Sequence, residues 1–199
     1  MFETTAAILL ASGLASRFEG GDKLLASLRG DSVLAHAARP LRGLSFGARL
    51  GVVGTSQTAR QAALRDLGFS LVLNPAPAAG QGHSLACGIR AATALTGIDR
   101  ALILLGDMPG VDAALLTRLG KAMAPGVPAV MARYGETCAP PALFHRSSFA
   151  ALAALDGDRG ARAVFARLSG TCLVDSDARG LIDIDTTEDL HRAEEIAHG

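Results

Sequence analysis

Tryptophan is absent from this 199-residue chain and tyrosine occurs once, so its core must be built from aliphatic side chains and seven phenylalanines. Net charge is absent too, because 19 basic residues balance 19 acidic ones, and neither terminus carries a strongly charged arm. That balance argues against a general nucleic-acid binder, while leaving room for a local basic pocket that holds a phosphate. Cysteine is scarce. Cys87, Cys138 and Cys172 are odd in number and far apart, which suits neither a disulfide framework nor a metal knuckle. They read as buried or half-buried thiols in a reducing compartment. No apolar run reaches the length of a membrane span. The opening MFETTAAILLASGLASRF lacks a basic n-region and carries Glu3, so it reads as a core strand and not a signal peptide. The expected location is cytoplasmic.

What the chain does have is aliphatic bulk and glycine. About half of its residues are hydrophobic (49%), and 23 are glycines, which implies a real core and many tight turns. Short apolar runs predict strands at Ala6–Ala11, Leu50–Val53, Leu71–Leu73, Ala101–Leu105, Val127–Met131 and Cys172–Val174, with a further extended piece at Leu181–Ile184. Helices are expected at Val33–Arg39 (stopped before Pro40), Gln57–Leu67, Ser84–Leu95, Val111–Met123, Ser147–Ala154, Gly160–Leu168 and Thr186–Ala197. Ala132–Phe144 reads as an insertion or turn region ending in a short strand. Strands and helices alternate at βαβ spacing, and several strands are continuously apolar. Both features point to a three-layer α/β fold with a mostly parallel sheet, whose ligands sit beyond the C-terminal strand ends.

The segment after the first strand is Leu10-Ala11-Ser12-Gly13-Leu14-Ala15-Ser16-Arg17-Phe18-Glu19-Gly20-Gly21-Asp22-Lys23. Glycine lets backbone N–H groups approach a phosphate closely. Arg17 offers a bidentate clamp, and Lys23, read as an exposed loop residue, offers a mobile point charge. The pattern is neither a P-loop, for no Gly-Lys-Ser/Thr follows, nor the dinucleotide GxGxxG.

This segment resembles the opening of the MobA-like nucleotidyltransferases, and most closely their molybdenum cofactor cytidylyltransferase branch. Ser16-Arg17-Phe18 and Lys23-Leu24-Leu25 match the family pattern, while Ser12 stands where Ala or Gly is usual and Glu19 precedes the usual glycine. The resemblance continues through Asn74-Pro75, Gly80, Ser84-Leu85, Gly106-Asp107-Met108-Pro109, Leu155–Arg162 and Asp183-Ile184-Asp185-Thr186-Thr187-Glu188-Asp189-Leu190. It departs at Ala139-Pro140-Pro141-Ala142-Leu143-Phe144, where the cytidylyl branch has Gly-His-Pro before its strand.

The resemblance implies a three-layer α/β/α Rossmann-like nucleotidyltransferase fold over residues 1–199, with room for a small acceptor-side lobe around 132–170. It implies transfer of a nucleoside monophosphate, from CTP or else GTP, to a phosphorylated acceptor such as molybdopterin. Its partners would be these small molecules and a molybdoenzyme or its chaperone, with no nucleic acid or membrane. It places the nucleotide near Ala11, Ser12, Gly13, Lys23, Asn74, Gly80 and Ser84, although Ser84 also suits an N-cap. Arg17, Lys23 and Asp107 become the catalytic candidates. Such chemistry calls for Mg²⁺, with Mn²⁺ as a substitute, held by one or two carboxylates and phosphate oxygens. Asp107, directly after a buried strand, is the first expected ligand. Asp185 is the second, with Asp183 behind it, since alternation puts these two on one side of Ile184. Asp185 has a rival reading as the cap of the last helix, in a capping box with Glu188. Asp158 and Arg159 read as a turn or acceptor-loop pair. Of five histidines, none at metal spacing, only His83 lies near this site.

Overall fold

The computed structural model describes residues 1–14, 18–19, 21–177 and 179–195. The chain opens with β1 (Thr5–Leu10), then a short hairpin of β2 (Ser27–Leu28) and β3 (Asp31–Ser32), α1 (Val33–Ala38), β4 (Ala48–Gly54), α2 (Thr58–Asp66) and β5 (Ser70–Asn74). It continues through α3 (Gln81–Thr93), β6 (Arg100–Leu105), α4 (Ala113–Ala122), β7 (Ala129–Tyr134) and β8 (Thr137–His145). It ends with α5 (Phe149–Ala153), α6 (Ala161–Phe165), β9 (Cys172–Asp175) and α7 (Thr187–Glu195). None of the described helices is long and apolar enough to cross a membrane.

Seven strands form one sheet in the order β5-β4-β1-β6-β8-β7-β9. The pairs β1–β4, β1–β6, β4–β5 and β7–β9 are parallel, and β8 runs antiparallel to both β6 and β7. All six residues of β1 are buried because both sheet faces are covered, which explains its unbroken apolar run. Ala7 and Leu9 face a core built with α1 and α4, while Ala6, Ile8 and Leu10 face another built with α3, α5 and α6. Gly88 of α3 lets that helix close on the sheet, since a Cβ there would stand 2.7 Å from the Cγ2 of Ile8.

Three sequence expectations change. Ala132–Phe144 is no insertion: it holds the end of β7, a tight turn at Gly135 and most of β8. Its two prolines hid the strand, and the structure admits them at an irregularity. Pairing jumps from Met131–Ala142 to Ala132–Ala139, which leaves Pro140 and Pro141 outside the ladder. Leu181–Ile184 is not a strand, because no neighbouring strand pairs with it. A 3₁₀ turn covers Arg179–Leu181, and the Ile184 N–H donates to the Asp107 carbonyl at 2.9 Å. Finally, α3 begins at Gln81, so Ser84 lies inside the first turn and is not its N-cap.

Candidate active site

β1 sends the chain to one side, toward β4 and β5, and β6 lies on its other side. The carboxyl ends of β1 and β6 therefore flank the point where strand order reverses, the usual ligand crevice of such sheets. The Gly106 N–H donates to the Leu10 carbonyl at 2.8 Å and locks these two ends together. Lys23 enters from the β1 side and Asp107 from the β6 side. Asp185 arrives from the stretch before α7.

The Lys23 ammonium lies 2.7 Å from Asp107 Oδ2 and 2.7 Å from Asp185 Oδ1. Its side chain is only 10% exposed, which corrects the reading of Lys23 as an exposed loop residue. Burial alone would lower its pKa, but the charges and hydrogen bonds of Asp107 and Asp185 outweigh it and hold the pKa above the ordinary lysine value. The amine therefore stays a cation. Asp183 is exposed, and Ile184 between the two aspartates is fully buried, so the alternation holds even without a strand. Partial desolvation of the Asp183 carboxyl, reinforced by the charges of Asp185 and Asp107, holds its pKa above the usual carboxylate value.

Asp185 is not the cap of α7. Asp189 Oδ2 accepts from the Thr186 N–H at 2.9 Å and from its hydroxyl at 2.8 Å, and the Asp189 N–H donates back to Thr186 Oγ1 at 3.2 Å. This is a capping box of Thr186 and Asp189, while Glu188 pairs instead with Arg192. The Asp185 carboxylate is thus free to meet Lys23.

Ser12, Gly13, Lys23, Gly80, Ser84 and Asp107 line one pocket of about 300 Å³. Under it lies a buried polar network. The Ser12 hydroxyl donates to Ser84 Oγ at 2.6 Å, Asn74 Nδ2 donates to the same oxygen at 3.0 Å, and Ser84 Oγ reaches the Gly80 carbonyl at 3.2 Å. Asn74 is fully buried and acts from beneath the pocket floor. Ala11 is also buried, with its N–H donating to Val52. Gly80 has φ +96°, and a Cβ there would collide with the Gly157 carbonyl. Arg17 lies outside the described residues. His83 does not line this pocket: its Nδ1 is 3.7 Å from Asp156 Oδ1.

Asp158, read from the sequence as part of a turn or acceptor-loop pair, lines the pocket from the α5–α6 connection. Sequence reasoning missed two contributors. Asp22 and Arg60 brace the loop ahead of Lys23. The available signal for Arg60 was its spacing, for it shares the buried face of α2 with Leu64, where an apolar residue is expected. A larger cavity of about 460 Å³ lies between α1, the start of α4 and α7. It contains neither Lys23 nor its carboxylates, and its basic groups are engaged: Arg39 with Asp31, Arg29 with the Ala193 carbonyl, His36 with the Leu28 carbonyl.

The donor set at Lys23 suits a hard divalent cation that completes its shell with phosphate oxygens. Among the described residues no cluster of three metal-ligating side chains occurs, and two converging carboxylates are what a nucleotide-bound Mg²⁺ or Mn²⁺ takes.

The candidate site is thus a crevice at the carboxyl end of a mostly parallel sheet, where one buried lysine joins two aspartates. The family model of the MobA-like NTP transferase domain matches residues 7–172, and the chain belongs to that family. Among solved structures it is similar to Rv0371c from Mycobacterium tuberculosis H37Rv, at 26% identity and TM-score 0.79, covering 96% of this chain and 98% of that one. The manganese complex of Rv0371c matches at 25% identity and TM-score 0.76, with the same coverage. A nucleotidyl transferase from Methanothermobacter thermautotroptrophicus shares the fold at 22% identity and TM-score 0.82, over 97% of both chains. So does molybdopterin-guanine dinucleotide biosynthesis protein A from Archaeoglobus fulgidus, at 18% identity and TM-score 0.73, over 97% of this chain and 98% of that one. No curated protein matches the sequence.

Proposed function

We propose that this enzyme transfers a nucleoside monophosphate, with CTP as the favoured donor, onto the phosphate of molybdopterin. The observation that carries the reading is Lys23, held between Asp107 and Asp185 at the mouth of the nucleotide pocket. When bound, Mg²⁺ supplies charge neutralisation on the triphosphate, with Asp107 and Asp185 as the residues that hold it. Lys23, released from its carboxylates, turns to the phosphates with Arg17. The acceptor phosphate oxygen bonds to the α-phosphorus in line, the bond from that phosphorus to the bridging oxygen breaks, and pyrophosphate leaves with the electron pair. Lys23 and Arg17 stabilise the developing charge. No protein nucleophile is needed. Ser12, Gly80, Ser84 and Asn74 form the base side, and residues 132–170 the acceptor side. The Archaeoglobus protein that shares this fold is a molybdopterin-guanine dinucleotide biosynthesis protein, which supports a molybdopterin acceptor and leaves the choice between CTP and GTP to experiment, and Rv0371c has a manganese complex.

Asp158 favours a second reading, guanylyl transfer. Its carboxylate stands at Gly80, and an acceptor-only group there suits the adjacent N–H donors of guanine. The test is pyrophosphate release from CTP, GTP, ATP and UTP, each with molybdopterin, first with Mg²⁺ and then with Mn²⁺. Release with CTP supports the first reading. Release with GTP alone selects the second. No release with any triphosphate overturns both.

A further inference from the structure

We infer that α2 is the brace that forms the nucleotide loop, with Arg60 and Gln57 as its positioning residues; this rests on the reading of the pocket as a nucleotide site. Arg60 is 3% exposed, and a charge so buried persists only with full pairing. One guanidinium nitrogen donates to the Ala11 carbonyl at 2.8 Å and to the Gly13 carbonyl at 2.7 Å. Its Nε donates to Asp22 Oδ2 at 2.6 Å. The carbonyl between those two belongs to Ser12 and accepts from Gln57 Nε2 at 3.2 Å. Gln57 is itself fixed, for its Oε1 accepts the Gly54 N–H at 2.7 Å.

Three consecutive carbonyls thus face one end of one helix. In a strand, successive carbonyls would alternate. A trans peptide sets each N–H opposite the preceding carbonyl, so the amides of Ser12, Gly13 and Leu14 turn away from α2. None of these amides has a hydrogen-bond acceptor among the described residues, and all three residues line the pocket. Consecutive outward N–H groups form a concavity suited to anions. At the other end of the loop, Asp22 Oδ1 accepts the Leu24 N–H at 3.0 Å and its carbonyl accepts from Leu25 and Ala26. One guanidinium therefore fixes both the amide row and the turn that carries Lys23.

The test uses the full chain with Arg60→Met, Arg60→Lys, Gln57→Ala and the gentler Asp22→Asn, which leaves the carbonyl bonds of Arg60 in place. Two measurements are made on variants that melt cooperatively. The first, free of any nucleotide, is amide exchange at Leu24, Leu25 and Ala26, expected to be at least tenfold faster in Arg60→Met and Asp22→Asn. Unchanged exchange overturns the brace. The second is calorimetric titration with Mg²⁺-CTP and Mg²⁺-GTP. Affinity should fall about tenfold or more in Arg60→Met and less in Gln57→Ala, with partial recovery in Arg60→Lys. In a Lys23→Ala background the Asp22→Asn loss should shrink, because that bond acts through Lys23. Wild-type affinity in folded Arg60→Met, or an Asp22→Asn loss of equal size with and without Lys23, overturns the inference. Failure of the wild-type protein to bind either nucleotide instead overturns the proposed function, and the exchange measurement still decides the brace.

Discussion

The two sides of the pocket are held by different forces. On the first side, Ser12, Ser84 and Asn74 satisfy one another beneath the surface, and Arg60 and Gln57 hold the loop carbonyls. On the other side, Lys23 bridges Asp107 and Asp185 in ion pairs, which under the proposed mechanism open so that the carboxylates take a metal and the ammonium a phosphate. The first side is a network satisfied within itself, and the charged side is a closed latch. On the proposed reading, nucleotide binding reorganises chiefly Lys23, Asp107 and Asp185.

The contrast can be broken at several points. The largest effect is expected from Asp107→Ala, which on the proposed reading removes a metal ligand and half of the latch. Mg²⁺-dependent turnover should fall by about a hundredfold or more, measured as pyrophosphate release by the folded variant. Wild-type rates would remove Asp107 from the mechanism. Lys23→Ala comes next, with a comparable loss of turnover and also a loss of stability. Removing a buried partner leaves Asp107 and Asp185 facing each other. Because Asp185 is 45% exposed, the expected cost is about 1–3 kcal/mol, below that of a fully buried pair, read from denaturant melts.

A smaller and more discriminating pair separates metal binding from capping. Asp185→Ala should weaken metal affinity while leaving the melting temperature close to wild type, because the α7 cap belongs to Thr186 and Asp189. Asp189→Ala should do the reverse, losing about 0.5–2 kcal/mol of helix stability with turnover retained. The Asp189 carboxyl is held below the usual range chiefly by its hydrogen bond from Thr186. Its contribution is therefore present above the ordinary aspartate pKa and is lost as the pH falls through its depressed value. Thermal melts across the acid range, wild type against Asp189→Ala, should converge at the acid end.

The same contrast explains what was legible in the sequence. The strands β1, β4, β5 and β6 and their loops follow local rules, apolar runs ended by glycine or proline, so Lys23 and Asp107 stood out by pattern, while Gly80 and Asn74 were singled out through the family resemblance. The bracing residues obey no local rule. Arg60 lies 47 positions beyond Gly13 and 38 beyond Asp22, and only the β1–β4 pairing brings α2 to the loop. Ser84 looked like an N-cap because Gln81 and Gly82 carry no helix-start signal; the helix begins there because the turn at Gly80 packs on the Asp156–Gly160 stretch. β8 was hidden by Pro140 and Pro141, whose tolerance depends on a register shift that periodicity does not encode.

The central claim is that Asp107 and Asp185 exchange Lys23 for a metal when a nucleotide binds. Its most direct test is a manganese titration followed by electron paramagnetic resonance, with CTP or GTP bound, in wild type, Asp107→Ala and Asp185→Ala. The account predicts one nucleotide-dependent Mn²⁺ site in wild type, weakened by about tenfold or more in Asp185→Ala and lost in Asp107→Ala. Wild-type Mn²⁺ affinity in folded Asp107→Ala would contradict it.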